Sequence, residues 1–217
     1  MKLNFVASAL VLAGALTGGS AMADTILVFG QLGTSQTITA TVNGAQTQTT
    51  IVGTDIPIEI SAFGAAAPAT PFSGFLDLNL FSTGAASAPV PGTVLQMFSG
   101  SFSFNSLANN TGTNYLSGTF TNAVFGSGSA MTISGSEPSF SVAFSSGVLT
   151  TLGSPRAISF SFTNVLPAAS IVGTTLAGFQ SNVSGNASAF NVPEPGTIAL
   201  IGAALLGLGV TRRRASV

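Results

Sequence analysis

Few residues of this chain are of a type that performs acid–base, nucleophilic or metal chemistry. Histidine and cysteine are both absent, which excludes imidazole catalysis, thiol nucleophiles and the usual zinc sites. A serine nucleophile needs a neighbouring base, and the one lysine, Lys2, lies at the extreme N-terminus. The sequence therefore predicts no catalytic, cofactor or metal site built from these residue types.

Four carboxylates are the remaining candidates, since glycoside hydrolysis needs only a general acid and a second carboxylate. They are Asp55, Glu59, Asp77 and Glu137. The first three occupy the outward positions of alternating stretches, and Glu137 precedes Pro138 in a turn, so we expect separate, solvated groups. The same oxygens are calcium ligands, but no Asp-rich loop of the EF-hand or repeat kind is present. We predict that the chain is not an enzyme.

Charge and aromatic content limit the partners. The body between Asp24 and Val192 has one basic residue, Arg156, and five acidic residues, for a net charge of −4. Such a surface does not favour nucleic acid. Tryptophan is absent and Tyr115 is the one tyrosine, so rings for stacking on sugars are scarce. A Thr, Asn and Gln face can still bond to sugar hydroxyls, which keeps a polysaccharide-binding module as an alternative.

The body alternates between apolar and polar residues, as half-buried strands do. Two such stretches flank Asn43-Gly44, which is typical of a two-residue hairpin turn, so Val42 is expected to face Ala45. Asp55–Ile60 follows as a strand containing Pro57, whose missing amide places it at a sheet edge.

Later strands alternate phenylalanine with Ser and Thr. The positions expected to face inward are Leu76, Leu78, Leu80, Phe102, Phe104, Phe120, Val124, Phe140, Val142, Phe144, Ile158, Phe160 and Phe162. Turn clusters of Gly, Asn, Ser and Pro separate strands of about 5 to 8 residues. This pattern predicts an all-β fold, an antiparallel two-sheet sandwich of jelly-roll type with a phenylalanine core.

The C-terminal stretch has three parts: Val192-Pro193-Glu194-Pro195, an apolar run from Ile198 to Val210, and the cluster Arg212, Arg213 and Arg214. Gly196 to Thr211 spans 16 residues, about 24 Å of helix, against a hydrocarbon core of about 30 Å. We therefore predict a short transmembrane helix. The arginines anchor its topology with the far end in the cytoplasm, and the prolines keep the preceding segment extended.

This tail, from Val192 to Arg214, resembles the PEP-CTERM sorting signal of Gram-negative bacteria. The resemblance implies that Pro193, Glu194 and Pro195 form a sorting motif recognised by an exosortase. It further implies removal of the tail and delivery to the cell surface or extracellular matrix. A buried core helix and a membrane anchor that is never cut are the alternatives.

The N-terminus carries the marks of a signal peptide. Lys2 supplies a positive charge, Phe5 to Leu16 form an apolar run, and Ala21 and Ala23 place small residues where signal peptidase reads them. We predict cleavage before Asp24, and an N-terminal anchor that is never cleaved is the alternative.

These features divide the chain into four parts: a signal peptide (1–23), an exported β-sandwich (24–180), a flexible stalk (181–191) and a sorting signal with its transmembrane helix (192–217). The expected partners are signal peptidase, exosortase, the inner membrane during transit, and exopolysaccharide. The favoured function is a non-catalytic surface or matrix protein, structural in exopolysaccharide or biofilm. A polysaccharide-binding module and a carboxylate glycoside hydrolase are the alternatives.

Overall fold

A computed structural model describes residues 23–64, 68–127, 131–150 and 152–190. Within those ranges the chain forms twelve strands and no helix. The strands are β1 (Asp24–Gln31), β2 (Ile38–Val42), β3 (Thr49–Phe63), β4 (Phe72–Ser82), β5 (Val94–Leu107), β6 (Thr111–Ser127), β7 (Met131–Ser136), β8 (Ser141–Ser145), β9 (Gly153–Leu166), β10 (Ile171–Val172), β11 (Thr175–Leu176) and β12 (Phe179–Phe190). The all-β prediction is confirmed for this part of the chain.

The sheet closes on itself. Antiparallel pairs follow the order β1-β3-β4-β5-β6-β7-β9-β12, and β12 pairs back with β1. The described residues therefore form a closed barrel of eight strands, and the predicted two-sheet sandwich is wrong. A sandwich core and a barrel interior both bury every second residue, so alternation cannot separate them. The β9–β12 and β12–β1 pairings, which join the two ends of the sheet, decide between the two folds.

Glycines allow neighbouring strands to approach closely at bends of the barrel. A Cβ on Gly185 of β12 would lie 2.1 Å from the carbonyl oxygen of Ser159, and one on Gly100 of β5 would lie 2.3 Å from that of Asn79. No side chain fits at such distances. These two positions therefore require glycine for the strands to pack as they do.

Phenylalanine rings fill the barrel, as the sequence predicts. Phe160 is fully buried, and its ring centroid lies 5.6 Å from that of Phe102 and 6.1 Å from that of Phe29. The other predicted inward positions that are buried are Leu76, Leu78, Leu80, Phe102, Phe104, Phe120, Val142, Ile158 and Phe162. Phe140 and Phe144 are half-buried instead.

A bulge in β6 overturns one predicted inward position. The β5–β6 register shifts between Phe98 and Gly100, and Asn122 adopts a positive φ of 56°. Because an extra residue reverses the alternation, Phe125 is fully buried and Val124 is half-buried. The prediction for Val124 is therefore wrong.

Asn43-Gly44 does lie between two paired strands, but the loop is longer than predicted. Val42 pairs with Thr49, so six residues connect β2 to β3. The Oδ1 atom of Asn43 accepts a hydrogen bond from the amide of Thr47 at 2.9 Å, which stabilises the wider turn. Ala45 is consequently exposed and does not face Val42.

Pro57 does not mark a sheet edge, because β3 has neighbours on both sides. On one side Pro57 pairs with Phe75 of β4. On the other side the ladder with β1 ends at Ile58 and the ladder with β2 begins at Val52. Pro57 thus lies between two ladders, and on this side its carbonyl oxygen accepts a hydrogen bond from the Leu32 amide at 2.8 Å.

The segment predicted as a flexible stalk is a strand of the barrel. Residues 181–190 belong to β12, which pairs with β1, β2 and β9. Small and polar composition indicated a linker, but the outward face of this barrel is made of such residues. Ser181, Val183, Ala187 and Ala189 are buried on its inner side, so the stalk prediction is wrong.

A buried polar network attaches the β10–β11 hairpin to the barrel. The Oγ1 atom of Thr175 lies 2.6 Å from that of Thr49 and 3.0 Å from Nε2 of Gln96. The Gln96 side chain also donates to the Gly84 carbonyl oxygen at 2.7 Å and accepts from the Leu176 amide at 2.9 Å. Thr49, Gln96 and Thr175 are all buried, so this network specifies how the hairpin docks.

No helix long and apolar enough to cross a membrane occurs in the part of the chain that the structure describes. Residues 1–22 of the predicted signal peptide (1–23) and the predicted transmembrane helix within 192–217 lie outside the described residues.

Candidate functional site: an outer groove and two terminal signals

The structure brings two of the four candidate carboxylates together. The amide of Asp55 donates to Oδ1 of Asp77 at 3.0 Å, and the amide of Asn109 donates to Oδ1 of Asp55. Oδ2 of Asp77 is excluded from solvent and has no hydrogen-bond partner among the described residues. Both carboxylates are therefore engaged in holding a bulge of β3 and the β5–β6 turn.

The other two carboxylates lie elsewhere. Glu59 is exposed on β3 opposite Ser73. Oε1 of Glu137 lies 3.9 Å from Nη1 of Arg156, and its Oε2 accepts from the Arg156 amide at 3.0 Å. Within the described ranges no three Asp, Glu, His or Cys side chains converge as metal ligands.

An open groove of about 760 Å³ crosses the outer face of β3, β4, β5, β6 and β8. Two rows of short side chains run across four of these strands in direct register. The first row is Asp77, Ser103, Ser117 and Ser145, and the second is Asn79, Ser101, Thr119 and Ala143. Adjacent members are about 4.8 Å apart and the rows about 7 Å apart, as sheet geometry dictates.

The floor of the groove lies between the two rows. The residues there, Leu78, Phe102, Gly118 and Phe144, occupy the alternate positions of the same strands. A Cβ on Gly118 would lie 2.8 Å from Cζ of Phe102, whose ring is buried. These side-chain positions therefore face the core, and backbone forms much of the floor.

Three members of the first row, Asp77, Ser103 and Ser117, make side-chain hydrogen bonds within the protein. Besides the Asp77 contact, the Ser103 hydroxyl donates to Oδ1 of Asn110, and the Ser117 hydroxyl accepts from Nδ2 of Asn114 at 2.9 Å. We call Asp77, Ser103 and Ser117 the bonded row. These bonds hold its side chains in place.

The second row is different. Asn79, Ser101 and Thr119 are exposed, and their side chains make no hydrogen bond to any other described residue. We call these three the free row. It presents an amide and two hydroxyls, each able to donate and to accept.

Sequence reasoning missed the groove, although one signal for it was available. Alternation of Phe with Ser or Thr indicates an outward face of hydroxyls on β5, β6 and β8. It does not give the register that aligns Ser101 with Asn79 and Thr119, because pairing between distant strands is not encoded in any one of them.

The sorting signal rests on a comparison with known families. Residues 191–214 match the model of the PEP-CTERM protein-sorting motif. The chain carries a PEP-CTERM sorting signal. This confirms the resemblance drawn from Pro193-Glu194-Pro195, the apolar run and the arginine cluster. The motif implies that the protein is exported and sorted through an exosortase.

No curated protein and no solved structure matches the chain. The PEP-CTERM motif identifies the sorting route, and these two comparisons add no function for the barrel.

The barrel fits between the two predicted processing points. β1 begins at Asp24, the residue expected to follow the signal peptide, and β12 ends at Phe190, next to the matched segment. The roles given to Ala21, Ala23 and Asp24 in signal peptidase cleavage stay predictions. The individual roles of Pro193 to Pro195 and of Arg212 to Arg214 are predictions too. Both of these C-terminal segments lie outside the described ranges.

Proposed function

We propose that this chain is a non-catalytic protein of the cell surface or extracellular matrix with a structural role in exopolysaccharide or biofilm. The observation that carries the proposal is a PEP-CTERM motif placed directly after a closed barrel. A self-contained domain beside a sorting signal is the organisation of an exported cargo.

Processing at both ends leaves the fold intact. Cleavage before Asp24 removes nothing from β1, and removal of the tail from the Pro-Glu-Pro segment onward leaves all of β12. Signal peptidase makes the first cut in this scheme, and exosortase acts at the second. The apolar run holds the precursor at the inner membrane until then, with the arginines on the cytoplasmic side.

The carboxylate geometry supports a non-catalytic role. A glycosidase needs two carboxyl groups that reach the sugar from opposite sides of its scissile bond. Asp77 cannot offer Oδ2 because that atom is excluded from solvent, and its Oδ1 accepts the Asp55 amide. Glu137 is bonded to Arg156 at a turn.

The barrel suits a protein that must persist outside the cell. It has no cysteine to oxidise, and its fully buried Phe98, Phe104, Phe120, Phe125 and Phe160 form a core without polar tips. Its stability is therefore supplied by packing, which changes little with redox conditions.

Localisation tests the proposal. Replacing Pro193, Glu194 and Pro195 by alanine should leave the precursor in the inner-membrane fraction, as should loss of the exosortase from the strain. A variant with alanine at Thr39 and Thr41 of β2 and at Gln48 of the loop that follows, three exposed positions, is the matched control and should reach the surface normally. Unchanged surface delivery of the Pro-Glu-Pro variant would contradict the sorting role.

A polysaccharide-binding module is the second candidate function. The outer groove favours it, because the free row offers three side chains that can hydrogen-bond and that have no partner among the described residues. Surface location and glycan binding are compatible, so the two candidates are separated by whether a saturable ligand exists.

A further inference from the structure

The groove has the chemistry of a site for hydroxyl groups. The exposed Asn79 amide and the Ser101 and Thr119 hydroxyls, which make no side-chain hydrogen bond within the described ranges, repeat at the strand spacing along one side of the groove. A ligand that bears hydroxyls along its length can bond to several of them at once, each as donor or acceptor. A volume of about 760 Å³ lies within the range of small-molecule sites, about 300 to 1,000 Å³.

The charge of the residues that line the groove favours uncharged ligands over anionic ones. Among the described residues that line the groove, Asp77 is acidic and none is basic. Arg156, the one basic residue of the body, is bonded to the Leu152 carbonyl oxygen at 2.8 Å and lies near Glu137. An anionic chain would meet a carboxylate without any compensating cation, which is unfavourable.

The bonded row makes the groove rigid before a ligand arrives. Asp77 and Ser103 are tied to Asp55 and Asn110, two residues in the left-handed region with φ of 49° and 54°. Such conformations cost energy and are kept where surrounding bonds hold them. A preformed site loses less entropy on binding than one that must be ordered.

From these observations we infer that the outer groove binds an uncharged polysaccharide, laid along the free row across β4, β5 and β6. Asn79, Ser101 and Thr119 contact the sugar hydroxyls. Asp77 sets the selectivity against anionic chains through its charge. The inference rests on the proposed surface location in one respect: the protein meets such polysaccharides at the cell surface.

Affinity electrophoresis of the exported protein tests this in native gels containing dextran, mannan, xylan or arabinogalactan, with alginate as the anionic polymer. Thr119→Val keeps side-chain shape and removes one hydroxyl, and should weaken binding about fivefold, as the loss of one hydrogen bond does. Ser101→Tyr should abolish it by filling the groove. Thr41→Val, at an exposed position of β2 outside the groove, is the matched control and should bind as the wild type does.

Retardation by at least one neutral glycan, reduced in Thr119→Val and kept in Thr41→Val, supports the inference. Lack of retardation by all four neutral glycans overturns it, and so does retardation by alginate alone. Equal retardation of Thr119→Val and the wild type also contradicts it, even if Ser101→Tyr fails to fold. Surface delivery is measured on the same variants and should be normal, so a failed binding site is distinguishable from failed sorting.

Discussion

Phe160→Ala should destabilise the barrel more than any exposed aromatic replacement. Phe160 is 0% exposed, and its ring lies 5.6, 6.1 and 6.3 Å from those of Phe102, Phe29 and Phe120. Truncating such a ring removes transfer free energy and leaves a cavity, for a loss of about 3–5 kcal/mol in the free energy of unfolding. For a domain of this size each kcal/mol lowers Tm by about 2–4 °C, so a fall of roughly 6–20 °C is expected.

Phe81→Ala is the matched control, because the same ring is 43% exposed on the outer face of β4. We expect its loss to stay below about 1 kcal/mol. Urea unfolding followed by far-UV circular dichroism gives both values. Fluorescence of Tyr115 is a second probe, since that ring is buried 4.9 Å from Phe72 and 5.8 Å from Phe63.

Similar losses for Phe160→Ala and Phe81→Ala would refute the assignment of inner and outer faces. A loss below about 1 kcal/mol for Phe160→Ala would show that the ring cluster is not the stabilising core, given the usual cost of a buried phenylalanine.

Three further predictions concern the close packing of β12, the docking of the β10–β11 hairpin and the closure of the barrel. Gly185→Ala places a Cβ 2.1 Å from the Ser159 carbonyl oxygen, whereas a Cβ at Gly44 would have no atom within 4 Å. Thermal melts should therefore show a lower Tm for Gly185→Ala and a nearly unchanged Tm for Gly44→Ala. Gln96→Leu leaves the Leu176 amide buried without its acceptor, so urea unfolding should show a loss of about 1–3 kcal/mol in the free energy of unfolding. An unchanged free energy of unfolding would mean that the network is dispensable. Deleting residues 181–190 removes most of β12 and should abolish the cooperative transition, whereas a flexible stalk would be lost without effect.

Local patterns were sufficient for the faces of most strands. Leu76, Leu78 and Leu80 are buried where alternation places them, and Phe102 and Phe104 likewise. Burial of every second side chain depends only on the pleat of a strand and on the need to remove apolar surface from water.

Features that depend on distant pairing were not predictable in this way. The pairing of β12 with both β1 and β9 closes the sheet into a barrel, where a sandwich was predicted. The sequence of β12 by itself does not identify these partner strands. The bulge at Asn122 reverses alternation within β6. Composition also misled at residues 181–190, since Ser, Asn and Gly are as common on the outer wall of this barrel as in a linker.

The sorting signal and the groove differ in the same way, because the first is a local pattern and the second depends on the pairing of distant strands. The sorting signal is a contiguous motif, so Pro193, Glu194 and Pro195 were recognisable from order alone, and the family match confirms the motif. The groove depends on Ser101, Thr119 and Asn79 being aligned across three strands, and only the register of the folded chain brings them together.

The intact mass of the protein recovered from the cell surface tests the central claim most directly. A chain that begins at Asp24 and lacks residues 198–214 is the predicted result, and a strain without the exosortase should yield a species that retains those residues. A surface-located protein whose mass still includes the apolar run and the three arginines would contradict sorting by removal of the tail.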